Sequence, residues 1–161
     1  MSHATTQQPV SHAPRLIRAP GGLVQRMLRS GLPLGPNTLI TVKGRKSGEP
    51  RTQPLAVVKF RQQRWVIGTF GDTNWCRNMR ANPEIEIGAG KRAEPAWARE
   101  LTPDEATEFF STTLPAAIVA MGVFGKIASF FLLGVAAPDI RSDPAAAALR
   151  RPVFELVPRD R

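Results

Sequence analysis

The sequence predicts a mainly β fold with added helices (α+β), arranged as a small antiparallel barrel decorated by helices. Short β-branched runs separated by turn residues dominate the chain, and two pairs of these runs adjoin as hairpins. The chain has 161 residues, 42% of them apolar, which suits one hydrophobic core. Its 15 prolines and 13 glycines disfavour an all-helical bundle. This strand-led order also argues against a doubly wound sheet.

Six runs have the composition of strands. The second and third are separated by a polar turn at 61–63, and the fourth and fifth by Gly88-Ala89-Gly90, so each pair is expected to form a hairpin. The fourth run alternates Glu and Ile, as a half-exposed strand does. The predicted strands are 37–43, 51–60, 64–70, 84–87, 92–101 and 153–157.

Two helices are predicted between the strands. The first has Asp72 as its N-cap and runs to Asn82, where Pro83 stops it. The second begins at Thr102 with the order Thr-Pro-Asp-Glu, in which the glutamate completes a capping box.

The chain divides into three predicted parts. Residues 1–14 lack the basic and apolar regions of a secretory signal and are expected to be a disordered leader. Residues 15–36 form a basic amphipathic segment, and 37–161 form the barrel domain. Within that domain, the apolar segment 114–137 is long enough to span a bilayer. Its central Lys126 and its glycines favour buried helices instead, with a face that could touch lipid.

The composition excludes several kinds of chemistry. Cys76 is the single cysteine, which excludes a disulfide framework and multi-cysteine metal sites. Both histidines, His3 and His12, lie in the leader, so no Ser-His-Asp triad and no metal site are expected. The chain contains no tyrosine. It also lacks the glycine-rich motifs of the usual dinucleotide and nucleoside-triphosphate folds.

The positive charge is concentrated in the first two fifths of the chain. Residues 1–64 contain eleven lysines and arginines and one acidic residue, Glu49, whereas the remainder is nearly neutral. This asymmetry indicates an anionic partner: nucleic acid, anionic lipid, or a small ligand with phosphate or carboxylates. No nucleic-acid partner is expected, because Phe60 is the single aromatic residue of the basic part and stacking platforms are missing.

The densest cationic motif is KGRKSGEPR, residues 43–51, between the first two predicted strands. Its glycines let the backbone turn and expose amides, and its serine adds a hydroxyl donor. The arginines can each grip two oxygens of a phosphate or carboxylate, while the second lysine acts as a point charge. We therefore expect this loop to bind an anion.

A second motif, GDTNWCRNMRANP at 71–83, follows a predicted strand and opens a helix. The helix start could bind an anion, and Trp75 could lie against a planar group. Periodicity alone favours another interpretation, in which Trp75 and Met79, one helical turn apart, pack on the barrel. Together the two motifs suggest one pocket with an anionic arm and a flat aromatic part, as a flavin-like cofactor would need.

These motifs resemble those of the deazaflavin (F420)-dependent nitroreductase and quinone reductase family of actinobacteria. The resemblance covers residues 39–158 and rests on GRKSGEPRTQPL, FGDTNWCRNMRANP, ARELTPDEATEFF and RPVFELVP. It implies a split β-barrel of the pyridoxamine-phosphate-oxidase, FMN-binding type. It also implies coenzyme F420, an 8-hydroxy-5-deazaflavin with a phospholactyl-oligoglutamate tail.

The resemblance assigns cofactor-binding roles by position. One group of residues would hold the anionic tail, a second would line the deazaflavin, and a third would contact phosphate and ring. The three groups are Arg45, Lys46, Ser47 and Gly48; Arg51, Pro54, Leu55 and Ala56; and Thr69, Phe70, Gly71, Asn74, Trp75 and Asn78.

The chain departs from the family at two points: it lacks a lysine before the Trp-containing helix, and it lacks the tyrosines that lie near the substrate in the nitroreductases. The implied reaction is hydride transfer from the reduced deazaflavin to a hydrophobic, electron-poor acceptor such as a quinone, with no catalytic side chain assigned. The alternative is a non-catalytic deazaflavin, FMN or lipid-binding protein with the same barrel, since one FMN phosphate would fit the same loop. A cytoplasmic location is expected, with peripheral association at the inner membrane face and oligomer formation left open.

Overall fold

The structure is a computed structural model that describes residues 37–88, 92–123, 127 and 137–159. The predicted leader 1–14 and basic segment 15–36 lie outside the described residues, and so do 124–126 and 128–136 of the apolar segment 114–137. The predicted boundaries of these parts stay predictions.

Six strands close into an antiparallel barrel, which confirms the predicted fold class. Around the barrel the order is β1-β2-β3-β6-β5-β4, and β1 pairs with β4 to complete the ring. Two strands, the first and the fourth, have the predicted bounds. The strands are β1 Asn37–Lys43, β2 Pro50–Phe60, β3 Gln63–Ile67, β4 Glu84–Ile87, β5 Glu94–Glu100 and β6 Val153–Pro158.

Both predicted hairpins are present as antiparallel pairs, β2 with β3 and β4 with β5. In the first hairpin Phe60 pairs with Gln63, which leaves Arg61 and Gln62 as a two-residue turn with φ of 48° and 67°. Two positive φ values are the signature of the turn whose twist matches a hairpin. The turn forms here without glycine.

β3 ends at Ile67, and its predicted extension to Phe70 is wrong. The amide of Gly68 still bonds in register with β6, donating to the carbonyl of Pro152 at 2.7 Å, but Pro152 has no amide with which to return the bond. The chain then turns, with the Gly71 amide donating to the Gly68 carbonyl at 2.8 Å and Gly71 at a φ of 81°. A Cβ on Gly68 would lie 3.0 Å from both the Gly71 carbonyl oxygen and Pro152 Cδ. Close packing at Gly68 therefore shapes this end of the strand.

In the part of the chain that the structure describes, five short helices and one π-helical turn cover the barrel. The capping box predicted at Thr102 is confirmed, because Glu105 and Thr102 exchange both of its hydrogen bonds, at 2.8 and 3.3 Å. The helices are α1 Asn74–Ala81, α2 Pro103–Glu108, α3 Leu114–Ala120, α4 Asp139–Ser142 and α5 Pro144–Arg150, with the π-helical turn at Phe109–Thr113.

The predicted N-cap of the first helix is wrong. Thr73, and not Asp72, occupies the cap position of α1. The Asp72 carboxylate instead accepts hydrogen bonds from two arginines of the helix, Arg77 and Arg80. The helix ends at Ala81, one residue earlier than predicted, because Asn82 precedes a proline and is disfavoured from helical geometry.

Two hydrophobic clusters stabilise the fold. One fills the barrel, where Ile40, Met79 and Phe154 are buried. The other lies between the barrel wall and the helices, where Trp65 stacks against Phe109 with ring centroids 5.3 Å apart. α3 belongs to this outer cluster and packs on β2, so the described start of the apolar segment covers the sheet as predicted.

Among the described residues, no helix combines the length and the apolar character that a membrane crossing requires.

Candidate functional site

Residues 43–51, here called the basic loop, join β1 to β2 as a closed turn. The Gly44 amide donates to the Glu49 carbonyl, and the Gly48 amide to the Gly44 carbonyl, each at 2.8 Å. Gly48 has a φ of 69°, and a Cβ on Gly44 would lie 3.0 Å from Ser47 Oγ. The glycines are therefore needed for the turn itself, and the exposed Lys46 and Ser47 sit at its tip.

Two asparagines of α1, Asn74 and Asn78, and the C-cap residue Asn82 hold this loop against the helix. They are spaced four residues apart, so Asn74 and Asn78 share one helical face and Asn82 follows at the helix end. The Arg45 guanidinium donates to Asn74 Oδ1 at 3.3 Å and to Asn78 Oδ1 at 3.0 Å, and the Arg45 amide also donates to Asn78 Oδ1 at 3.2 Å. Asn82 Nδ2 donates to the Lys43 carbonyl at 3.2 Å. These contacts, which we call the asparagine ladder, join the two sequence motifs into one site.

Asn78 is the central member of the ladder and is only 9% exposed. Its Oδ1 accepts both bonds from Arg45, which fixes the orientation of the side-chain amide. Its Nδ2 makes no hydrogen bond within the described part of the chain, where no fully buried polar side-chain atom lacks a partner. This NH2 group is therefore held in a fixed orientation beside the basic loop.

The cations around the site differ in how far they are neutralised. Arg51 pairs with Glu49 at 3.1 Å, with both side chains more than half exposed. Arg77 and Arg80 are paired with acidic groups. Among the described residues, neither Lys46 nor Arg45 takes part in an ion pair. Lys46 and Lys43, which is also exposed and also outside these ion pairs, are thus the loop lysines most available to an anionic ligand.

The turn at 68–71 leads directly into α1. Thr69, Phe70 and Gly71 are half-buried there, and the Thr69 amide donates to the Ile67 carbonyl at 2.9 Å. At the helix start, Thr73 makes no side-chain capping bond. The turn therefore lies directly before Asn74, which is the first residue of α1 and the first member of the ladder.

The predicted ring-lining residues of β2 are divided between two faces. Leu55 packs against the cluster inside the barrel. Because successive strand residues face opposite sides, Pro54 and Ala56 share the outer face with Val58, which belongs to the outer cluster. The side chains of all three residues cannot line one surface of a ligand.

The packing interpretation of Trp75 and Met79 is confirmed. Met79 is fully buried, and the half-buried Trp75 packs on the interior cluster with its ring 5.8 Å from that of Phe154. Whether the remaining surface of Trp75 contacts a planar ligand stays a prediction.

Asp72 connects the turn to the helix and through it to β5. Its carboxylate accepts from Arg77 Nε at 2.8 Å and Arg80 Nη1 at 2.7 Å, and Arg80 also holds Glu100 through two nitrogens. Partial burial raises the pKa of Asp72, but the hydrogen bonds and charges of the two arginines outweigh it and leave that pKa below its ordinary value. Asp72 is therefore ionised when the site is assembled.

Sequence reasoning missed three contributors: Asn82, Glu49 as the partner of Arg51, and Asp72 as an ion-pair centre. The spacing of Asn74, Asn78 and Asn82 was a usable signal, because asparagine is a poor helix former and three at helical spacing need a reason. The partners of Glu49 and Asp72 gave no such pattern.

A closed barrel that presents a preformed cationic turn beside an aromatic helix start is the architecture of a protein that binds a coenzyme with an anionic arm. Residues 16–122 match the model of the family described as F420H(2)-dependent quinone reductase. The chain belongs to this family, which confirms the resemblance found in the sequence.

Solved structures with similar folds have low sequence identity to the chain. One, described as an F420-H2 dependent reductase (FDR-A), is 25% identical, with 75% of this chain and 93% of that chain covered and a TM-score of 0.43. The conserved protein Rv2991 from Mycobacterium tuberculosis is 10% identical, with coverages of 97% and 87% and a TM-score of 0.49. A pyridoxinephosphate oxidase family protein from Clostridium acetobutylicum is 11% identical, with coverages of 84% and 82% and a TM-score of 0.44.

Family membership makes the protein an oxidoreductase whose coenzyme is F420. The residues of the site fit this coenzyme chemically. A tail with a phosphate and several carboxylates requires exposed cations and fixed N–H donors, and Lys46, Arg51 and Asn78 Nδ2 provide both.

We expect Asp72→Asn to destabilise the protein at pH 7 by up to about 1 kcal/mol, the range for half-exposed ion pairs. Because the pKa of Asp72 is lowered on folding, its contribution is fully present above the ordinary carboxyl pKa and is lost as the pH falls through the folded value. The stability difference between variant and wild type should therefore shrink as the pH falls below the ordinary carboxyl pKa of about 4.

Urea unfolding at pH 7 and at low pH measures this difference. Glu49→Gln is the matched control, since it removes a carboxylate from a more exposed pair and should change stability little. A difference that persists unchanged at low pH would show that the Asp72 charge is not what stabilises the turn.

Proposed function

We propose that the protein transfers a hydride from reduced F420 to a hydrophobic, electron-poor acceptor such as a quinone. The observation that carries this proposal is the asparagine ladder, which fixes the basic loop beside the start of α1. When bound, F420H2 supplies the hydride. The protein's part is to bind, orient and shield the coenzyme.

In this proposal the basic loop binds the anionic tail. Lys46 and Arg51, which are both exposed, contact the phosphate and carboxylates, and Ser47 contributes a hydroxyl at the tip. The amide of Gly48 is bonded to the Gly44 carbonyl, so Gly48 takes part by shaping the turn. Arg45 has two of its guanidinium nitrogens committed to asparagines, so we assign it mainly to holding the loop in place.

The deazaflavin ring is proposed to lie between β2 and the turn before α1. Pro54 and Ala56 would face it from the outer side of β2, with Leu55 contributing through its backbone. The half-buried turn of Thr69, Phe70 and Gly71 would border the ring opposite Trp75 and Asn74. Asn78 Nδ2 would donate to the coenzyme where the ring and tail meet.

The acceptor is proposed to approach from the side that α3 covers. α3 packs on β2, and its buried Leu114 and Ala117 join the outer cluster to which Val58 belongs. These apolar surroundings suit a hydrophobic acceptor. We assign no catalytic side chain: the chain has no tyrosine, and burial raises the pKa of the Cys76 thiol, which keeps it neutral.

Replacing Lys46 and Arg51 together by Ala should raise the dissociation constant for F420 at least tenfold, which is about 1.4 kcal/mol. Both cations are exposed, so binding should also weaken with added salt and with fewer glutamates in the tail. Fluorescence titration of the coenzyme measures both effects. Lys59→Ala is the matched control, because this exposed cation lies on β2 roughly 25 Å from Arg51.

Glu49→Gln gives a change in the opposite direction. It releases Arg51 from its ion pair and should tighten F420 binding by about two- to threefold, the size of one exposed pair. Parallel titrations with FMN distinguish the coenzymes, since FMN has a single phosphate and should respond less to all of these variants. Unchanged F420 affinity in the double alanine variant would contradict the tail assignment.

With reduced F420, the protein should reduce a menadione-like quinone faster than a nitroimidazole. Nitro reduction needs a proton delivered together with the hydride, and a missing positioned acid can cost ~10²–10⁴ in rate. A quinone can take its protons from solvent after hydride transfer. Anaerobic reoxidation of the coenzyme, with acceptors at matched concentration, measures the two rates. Equal or faster nitroimidazole turnover would show that another group supplies the proton.

We also propose that the protein associates peripherally with membranes, where hydrophobic quinones reside. Val119 near the end of α3 and Val123 just beyond it are 74% and 71% exposed, and the first 64 residues have a large excess of cations. After cell lysis at low salt, part of the protein should sediment with the membranes and be released by detergent or high salt. Full recovery in the soluble fraction would contradict membrane association.

A further inference from the structure

We propose that Asn82 is a positioning residue for coenzyme binding: with Asn78 it fixes the backbone of the basic loop at two points, so that the tail-binding groups are in place before the coenzyme arrives. The inference rests on the proposed function, because it takes the basic loop as the binding site for the F420 tail. Asn82 itself touches no proposed tail-binding group.

The two asparagines hold two main-chain groups of the loop. Asn82 Nδ2 donates to the Lys43 carbonyl, and Asn78 Oδ1 accepts from the Arg45 amide, both at 3.2 Å. The Lys43 carbonyl and the Arg45 amide lie on either side of Gly44, so the two bonds hold the start of the basic loop on both sides of this glycine.

The position of Asn82 follows from the topology of the barrel. Its amide donates to the Asn78 carbonyl at 2.8 Å and closes α1, while the following Pro83 keeps Asn82 out of helical geometry, at φ −137° and ψ 88°. The chain then enters β4, which pairs with β1 through Ile85 and Val42. Asn82 thus lies at the point where β1 ends and the basic loop begins.

A fixed loop favours binding because less conformational entropy is lost when the ligand is bound. The anchors act on the loop backbone, so they affect groups that bind the tail and not those that bind the ring. Loss of Asn82 should therefore weaken binding of the complete coenzyme and leave binding of the tail-less chromophore unchanged. General destabilisation of the fold would weaken both ligands alike.

The test compares F420 with its 8-hydroxy-5-deazaflavin chromophore lacking the phosphate and glutamate tail, each titrated by fluorescence. Asn82→Ala should raise the dissociation constant for F420 about tenfold, the effect of one lost hydrogen bond, and change that of the chromophore by less than about twofold. Asn82→Asp keeps the size of the side chain but cannot donate to the Lys43 carbonyl, so it should behave like Asn82→Ala. Asn82→Gln keeps the donor and should recover part of the affinity.

Hydrogen exchange of the Arg45 amide gives a readout without any ligand. This amide should exchange faster in Asn82→Ala and Asn82→Asp than in the wild type, because the loosened loop breaks the hydrogen bond from the Arg45 amide to Asn78 more often. Gln63→Ala is the matched control: it removes another exposed side-chain amide hydrogen bond, to Glu155 at 3.0 Å, and should alter neither ligand nor the Arg45 amide. Thermal unfolding confirms that each variant is folded.

If the Asn82 variants bind F420 and the chromophore equally more weakly, the proposal for Asn82 is overturned. It is also overturned if the ratio of the two dissociation constants and the exchange of the Arg45 amide are both unchanged. A wild-type protein that binds the chromophore as tightly as F420 would be a different failure. That result would overturn the assignment of the basic loop to the tail, and the role of Asn82 with it.

Discussion

The hydrogen bonds between Arg45 and Asn78 are the interaction on which the candidate site depends. Asn78 is nearly buried, and an amide taken out of water is costly unless it is bonded, so the loop must close onto the helix for its Oδ1 to find donors. Arg45 supplies two of them, one from its main chain and one from its side chain. Arg45, which the sequence predicts to bind the ligand, thus serves mainly to fix the loop that carries the other cations.

Barrel closure makes this interaction available. Pairing of β1 with β4 brings the end of β1 to the end of α1, which precedes β4 in the chain. Packing of Met79 and Trp75 on the interior cluster then sets the rotation of α1, and the face bearing Asn74 and Asn78 meets the loop. Core packing and the polar contacts of the site are therefore parts of one arrangement, since the helix cannot rotate without breaking both.

Whether a cation of this protein is available to a ligand depends on its exposure and its ion-pair partners more than on whether it is a lysine or an arginine. Arg77 and Arg80 are neutralised by Asp72 and Glu100 and stabilise the turn before α1. Lys46 lies at the exposed tip of the loop with no ion-pair partner among the described residues. The basic loop thereby keeps a cation where an anionic ligand can reach it, while Arg77 and Arg80 hold the scaffold together.

The barrel class, the bounds of β1 and β4, the Thr102 capping box and the cationic loop could all be predicted from the sequence, because alternation, capping and turn formation depend on residues close together in the chain. The end of β3, the partners of Asp72 and the bonds by which Arg45 and Asn82 hold the loop against α1 could not. The bonds of Arg45 to Asn78 and of Asn82 to Lys43 span 33 and 39 residues. Such contacts exist only once the barrel has closed, and no local pattern specifies them.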